Sequence, residues 1–290
     1  MSDSTWRAGA RCVFTLTFDV DAEAPILAHG RRYADHVTTM SHQAYGPEIG
    51  VPRLLDMLAE LEVPATFFIP GWVAEQRPGL AERIAAAGHE VAHHSYSHRP
   101  ATRLSAAEER ADFERALAVF ADQGIDIAGY RAALWQTTRQ TAGLVAEHGL
   151  SYDSSLMADD SPYLLKTSGA DVVELPVHWS LDDWEQYAFL PDPNVGAVIE
   201  SPSKVLEMWR EELDAMRHYG CLFNLTNHPF LSGRPARARA LRRLIEYALA
   251  CGDVRFDRCR DVAERVRCDP SRTGRPAAAP VADPAIYSVE

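Results

Sequence analysis

Cysteine is scarce in the 290-residue chain: five residues, Cys12, Cys221, Cys251, Cys259 and Cys268, odd in number, widely spaced and without a C-x-x-C pair. That pattern indicates neither a disulfide framework nor a thiolate zinc site, leaving reduced, mostly buried thiols as the expectation. No window approaches the roughly 18 apolar residues of a membrane span. The start, MSDSTWRAGARCVFTLTFDVD, lacks a charged stretch followed by an apolar one, so the expected compartment is the cytosol. Positive charge is also short, 29 Lys and Arg against 41 Asp and Glu for a net charge of −12, which argues against nucleic acid and membrane partners. Solenoid repeats and internal Gly/Ser linkers are missing too, so residues 10–268 read as one domain. The Pro/Ala-rich tail, 269–290, reads as disordered or laid on a neighbouring subunit.

What is present is a series of apolar runs alternating with helical patterns. CVFTLTFDVD reads as a strand, GVPRLLDMLAELE as a helix and PATFFIP as a strand. WVAEQRPGLAERIAAAG follows as a helix and HEVAHH as a short strand. A helix then opens on a capping box of Ser105 and Glu108 and closes at Gly124. Further strands fall near IAGYRAAL, SYDSS, VVELPVHW, CLFNLTNHP and VRFDR, with helices over TRQTAGLVAEHG, SKVLEMWREELDAMRHYG and 236–251. This alternation predicts an α/β fold, a distorted, incomplete (β/α) barrel of about seven parallel strands with its site at their C-terminal ends.

Three strand ends carry chemistry. Alternation along the first strand puts Asp19 and Asp21 on one side, where one can bind a cation while the other stays free as a base. His94 and His98, in HHSYSH, stand four apart, close enough on a helical turn to bind one metal. With an aspartate they would make a three-ligand site with open positions. His228, in LFNLTNHP, can protonate a leaving nitrogen. Taken one segment at a time, a solvated strand end, surface or core histidines and a turn fixed by Pro229 are the competing readings. Trp72, Trp135, Trp179, Trp184, Tyr187 and Phe230 are candidates for an apolar lid over a small ring, with Trp72, Trp135, Trp184 and Phe230 expected at the substrate. The stretch 25–50, holding His29, His36 and His42, reads as a long connection serving as a lid or subunit contact, with no ligand among those histidines.

Together TFDVD, GHEVAHHSYSH and TNHP resemble the motifs of the polysaccharide deacetylase family, carbohydrate esterase family 4. The resemblance runs from about Val13 to His228. It implies a distorted β/α barrel in which Asp21, His94 and His98 bind a divalent metal, Asp19 is the general base and His228 the general acid. His93 stands where the family commonly has Asn and is expected to neighbour the site without ligating. The family's Arg-x-Pro-Tyr motif is RAAL here: Arg131 is expected to hold Asp19, while the Pro and Tyr are absent. FFIPGWVAEQRP, YGPEIGVPRLLDML and LPVHWSLDDW look like the intracellular branch, with cyclic imide hydrolases, allantoinase-like enzymes and peptidoglycan-deacetylase-like proteins.

The expected activity is therefore hydrolysis of a carbon–nitrogen bond in a small cyclic amide, imide or ureide. N-acetyl sugar or peptidoglycan deacetylation is the alternative. A binding protein that lost the reaction and a closed structural metal site are the rivals from other classes. Two imidazoles and a carboxylate point first to zinc, with cobalt, nickel, manganese and iron compatible. A small-molecule substrate and a homo-oligomer, dimer or tetramer, are the expected partners.

Overall fold

The computed structural model describes residues 5–196, 198–269 and 274–276. Twelve strands lie among them. They are β1 (Cys12–Asp19), β2 (Thr66–Ile69), β3 (Glu90–His93), β4 (Gly129–Tyr130), β5 (Tyr152–Asp153) and β6 (Tyr163–Lys166). The rest are β7 (Val172–Glu174), β8 (Leu190–Pro191), β9 (Asn194–Val195), β10 (Leu222–Asn227), β11 (Val254–Phe256) and β12 (Gly274–Pro276). Seven parallel strands follow one another in the order β10, β1, β2, β3, β4, β5, β7, and antiparallel β6 extends that edge. β12, from the tail, pairs with β6, and most of the tail lies outside the described residues. The first half of β1 also pairs with β11. The result is a curled sheet that stays open, an incomplete barrel.

Alternation along β1 decides what fills it. Phe14, Leu16 and Phe18 face outward into the main core with Leu54, Leu58, Leu213, Leu241 and Leu244 from the surrounding helices. Each such buried side chain contributes about 1.5–3 kcal/mol. Thr15, Thr17 and Asp19 face inward, and this face is buried too. The interior is thus polar, and most of its groups need hydrogen-bond partners. Asn224 of β10 accepts from Thr15 Oγ1 at 2.9 Å and donates to the carbonyls of Leu175 and Pro176, past the end of β7. This side chain spans the gap that the backbone leaves open.

Two sequence expectations are corrected. The helix read across residues 72–88 is broken into Gly71–Gln76 and Leu80–Ala86, because Pro78 disfavours helical backbone at Arg77, which sits at φ −130° and ψ 70°. The 25–50 connection is largely helical, including Val37–Tyr45 and a π turn over Gly46–Gly50. That turn packs under residues 229–232 so closely that a Cβ on Gly50 would lie 2.2 Å from the Pro229 carbonyl oxygen. The segment therefore braces the backbone that carries His228. Its own histidines lie elsewhere: His36 packs on Tyr33, and His42 on Phe230.

Asp153 and Glu174 face each other across β5 and β7, both buried. Ser155 Oγ donates to Asp153 and accepts from the Ala132 amide, so this pair anchors the chain next to Arg131. Burial pushes the Asp153 carboxyl up to about 6, against the hydrogen bond from Ser155. Burial and the Asp153 charge push Glu174 well above the usual carboxylate range. From pH 3.8 to about 6 the folded protein keeps a proton that the unfolded chain releases. The Asp153 contribution to stability is therefore present at low pH and lost as pH rises through that window. A shift of roughly two pKa units is worth about 3 kcal/mol. Urea unfolding of the wild type and Asp153→Asn should show the wild type losing about that much relative to the variant between the two pH values; parallel profiles would contradict it.

Among the described residues, no helix is long and apolar enough to cross a membrane. Cys12, Cys221 and Cys259 are buried thiols, and Cys268 is exposed.

Candidate active site

The parallel strands deliver their C-terminal ends to one rim. Asp19 ends β1 and Asp21 follows two residues later; His94 follows β3, Arg131 follows β4 and His228 follows β10. All five side chains are buried. Asp21 Oδ1 lies 3.4 Å from His94 Nε2, and Asp21 Oδ2 lies 3.3 Å from His98 Nε2 and 3.5 Å from His228 Nε2. His94 Nδ1 pairs with the Arg131 carbonyl at 2.7 Å, so it carries the proton and leaves the Nε2 lone pair turned to the carboxylates.

The His94–His98 pair is not made by a helical turn, which corrects the sequence expectation. Residues 94–100 are irregular, and Ser95 and His98 take left-handed backbone at φ 61° and 56°. Such strain persists only where the surroundings hold it. Here Asp112 accepts from the Tyr96 and Ser97 amides, and Ser95 Oγ from that of His98. His93 points the other way, into the core. It accepts from the Ser95 amide, pairs with the Phe113 carbonyl and packs on Phe113 and Tyr130. Burial pushes its pKa down to about 3, so it stays neutral.

Arg131 is fully buried in the barrel interior. Its Nη1 donates to Asp19 Oδ1 at 2.7 Å and to Thr17 Oγ1 at 2.9 Å, while Nε and Nη2 donate to the Ser154 carbonyl and hydroxyl. The guanidinium also stacks on the Phe68 ring, 4.1 Å from its centre. On the far side of the site His228 Nδ1 lies 2.7 Å from Asp183 Oδ1, and Asp183 also accepts from the His228 and Ser232 amides and the Ser232 hydroxyl. Burial alone would lower the His228 pKa; the bond to Asp183 and the charges of Asp182, Asp183 and Asp21 push it up to about 10. Burial likewise opposes ionisation of Asp21, but His98, His94 and His228 hold its carboxyl well below the usual range.

Asp19, Asp21, His94, His98 and His228 form the floor of a cavity of about 350 Å³. Trp135 and Trp179, their ring centres 4.7 Å apart, make one wall, and Trp184, edge-on to His228, makes another. Arg103, Gln136 and Glu185 stand on the rim. Two of the expected substrate contacts are corrected. Trp72 packs on the main core, its backbone N–H donating to the Tyr96 carbonyl, and Phe230 is buried behind Trp184 and His228. Neither lines the cavity. Sequence reasoning gave no role to Asp182, Asp183, Gln136 or Arg103. The only signal was the acidic pair before Trp184, which lies 45 residues from the histidine it holds.

The polysaccharide deacetylase family profile matches residues 44–152. A chitooligosaccharide deacetylase from Sinorhizobium fredii is 33% identical over 69% of this chain and 80% of its own length. The chain belongs to the polysaccharide deacetylase family. A peptidoglycan deacetylase from Helicobacter pylori is 29% identical over 85% of this chain and 93% of its own. A solved structure from Mycobacterium smegmatis, described as a polysaccharide deacetylase, superposes with a TM-score of 0.91 at 46% identity, covering 94% of this chain and 96% of that one. The Puue allantoinase shares the fold at a TM-score of 0.81 and 23% identity, over 93% and 94% of the two chains. The family's named members here are deacetylases, hydrolases of non-peptide carbon–nitrogen bonds. In the arginine motif Ala133 and Leu134 stand where the resemblance implies Pro and Tyr; Leu134 and Trp135 both take left-handed backbone, at φ 54° and 52°, and both line the cavity.

Proposed function

We propose that this protein is a metal-dependent hydrolase of a small cyclic amide, imide or ureide. The observation that carries the reading is the cavity: at about 350 Å³, walled by Trp135, Trp179 and Trp184, it suits one ring rather than a polymer chain. The residues present fit a divalent cation. The ligand atoms of Asp21, His94 and His98 all lie within 4.8 Å of one another, and Asp21 Oδ1 is buried without a hydrogen bond. Those three side chains would hold the metal. Zinc matches two imidazoles and a carboxylate best, with cobalt, nickel, manganese and iron compatible. Bound there, such an ion acidifies water and polarises a carbonyl.

The chain's own groups supply the proton transfers. Arg131 occupies Asp19 Oδ1 and leaves Oδ2 on the side of His94, so Asp19 takes the proton of the attacking water. His228, whose bond to Asp183 and neighbouring carboxylates favour the charged ring, gives the Nε2 proton to the leaving nitrogen. Asp183 fixes the ring so that Nε2 faces the site. The aromatic walls exclude water from the reacting bond.

The names of the Helicobacter and Sinorhizobium relatives favour a second reading, N-acetyl sugar deacetylation. Metal analysis of the purified protein, with hydrolysis assays on succinimide, hydantoin, dihydrouracil, allantoin and an N-acetylglucosamine oligomer, separates the two. Turnover of a cyclic compound, abolished by dipicolinate and restored by zinc, is the expected result. Turnover of the sugar oligomer alone would replace this reading with the second.

A further inference from the structure

Asp182 has no assigned part in the reaction, yet it is only 5% exposed and lines the cavity. Its Oδ1 accepts from the Trp184 amide at 2.8 Å. Its Oδ2 takes no hydrogen bond among the described residues and is not sealed from the cavity. Burial pushes this carboxyl up to about 7, against the charge of His228, so above that pH it is a carboxylate whose second oxygen needs a donor, and among the described residues its open side is the cavity's. Oδ1 stands 3.6 Å from His228 Nδ1, while Nε2 of that ring faces Asp21, so Asp182 lines the cavity on the far side of His228 from the Asp21 carboxylate.

The rest of the wall agrees. Glu185 and the Gln136 side chain offer further acceptors, and neither makes a hydrogen bond to the described residues. Resting on the cyclic-amide reading above, we infer that Asp182 selects a ureide over an imide by accepting a second ring N–H, one that the leaving nitrogen does not supply. An imide has one N–H between two carbonyls, and that nitrogen belongs to His228. A cyclic ureide such as hydantoin carries the additional donor that Asp182 and its neighbours are placed to accept. The walls of Trp135, Trp179 and Trp184 cover the faces of such a ring.

The test compares kcat/KM for hydantoin, 1-methylhydantoin and succinimide in the zinc-loaded wild type, Asp182→Ala and Asp182→Asn. Methylation of N1 removes the proposed donor. In the wild type hydantoin should exceed 1-methylhydantoin by about tenfold or more, the worth of a hydrogen bond to a charged group. In Asp182→Ala that ratio should fall to near one. Asp182→Asn covers the case of a poorly folded alanine variant: its carbonyl keeps the Trp184 amide, which turns its NH2 to the cavity, donor against donor. Its hydantoin-to-1-methylhydantoin ratio, in which any effect on His228 cancels, should fall to one or below with an unchanged melting temperature. A methylation penalty that persists in both variants, or wild-type turnover of succinimide and not hydantoin, would overturn the role of Asp182 and leave the cyclic-amide reading standing. Turnover of an N-acetylglucosamine oligomer with none of the rings would remove both.

Discussion

Asp19→Asn is expected to lower kcat by about 10²- to 10⁴-fold, the range for losing a general base, with metal content unchanged. The two halves of that expectation come from different contacts. An amide at residue 19 still accepts the Arg131 bond through its oxygen, so the barrel interior keeps its geometry. It has no carboxylate oxygen left to take a proton. Metal content should not change because Asp21, not Asp19, stands within 3.4 Å of both His94 and His98; Asp19 Oδ2 is 3.7 Å from His94. Steady-state kinetics on the compound that the wild type turns over, with metal analysis of the same preparation, makes the comparison. A protein that only binds its ligand would change little, and loss of metal along with turnover would move Asp19 into the ligand set.

The second large effect is expected from Arg131→Met. The side chain is buried completely, its Nη1, Nη2 and Nε all donate, and its guanidinium lies over Phe68. Methionine fills much of the same volume but leaves Asp19 as a buried carboxylate without its cation, and the inward groups of Thr17 and Ser154 without a donor. Removing one partner of a buried ion pair costs about 3–5 kcal/mol. Urea denaturation should show a loss of that size, along with loss of turnover from a misplaced Asp19. Arg131→Lys should fall between the two, since an ammonium restores the charge but cannot reach Asp19, Thr17 and Ser154 as a planar fork does. A stability loss under about 1 kcal/mol in the methionine variant would show that the interior tolerates the orphaned groups.

Much of the fold was legible because it rests on local rules. Alternation along residues 12–19 named the inward and outward faces of β1, and the Ser105 capping box is present as both reciprocal bonds. The break at Pro78 was missed where apolar spacing outweighed the proline, and the helical 25–50 segment was missed because its apolar residues follow no single period. In the site, Asp19, Asp21, His94, His98 and His228 stood out as strand-end residues with the right donor atoms. Asp182 and Asp183 did not, since their meaning depends on a histidine 45 residues away. Trp72 and Trp135 are both tryptophans near strand ends, and nothing local separates one buried in packing from one that walls the cavity.

The sequence by itself determined which side chains end each strand, which face of β1 is polar, and that a net charge of −12 disfavours polyanionic partners. These follow from periodicity and composition, which need no knowledge of neighbours. Only the tertiary structure decided that β10 and β2 flank β1, with β3 and β4 beyond, so that residues 19 to 228 converge on one cavity. It also decided that two left-handed residues, held by Asp112 and Ser95, turn His98 toward Asp21. Strand pairing across long separations and backbone strain held by distant hydrogen bonds are properties of the packed whole, since no single segment contains both partners.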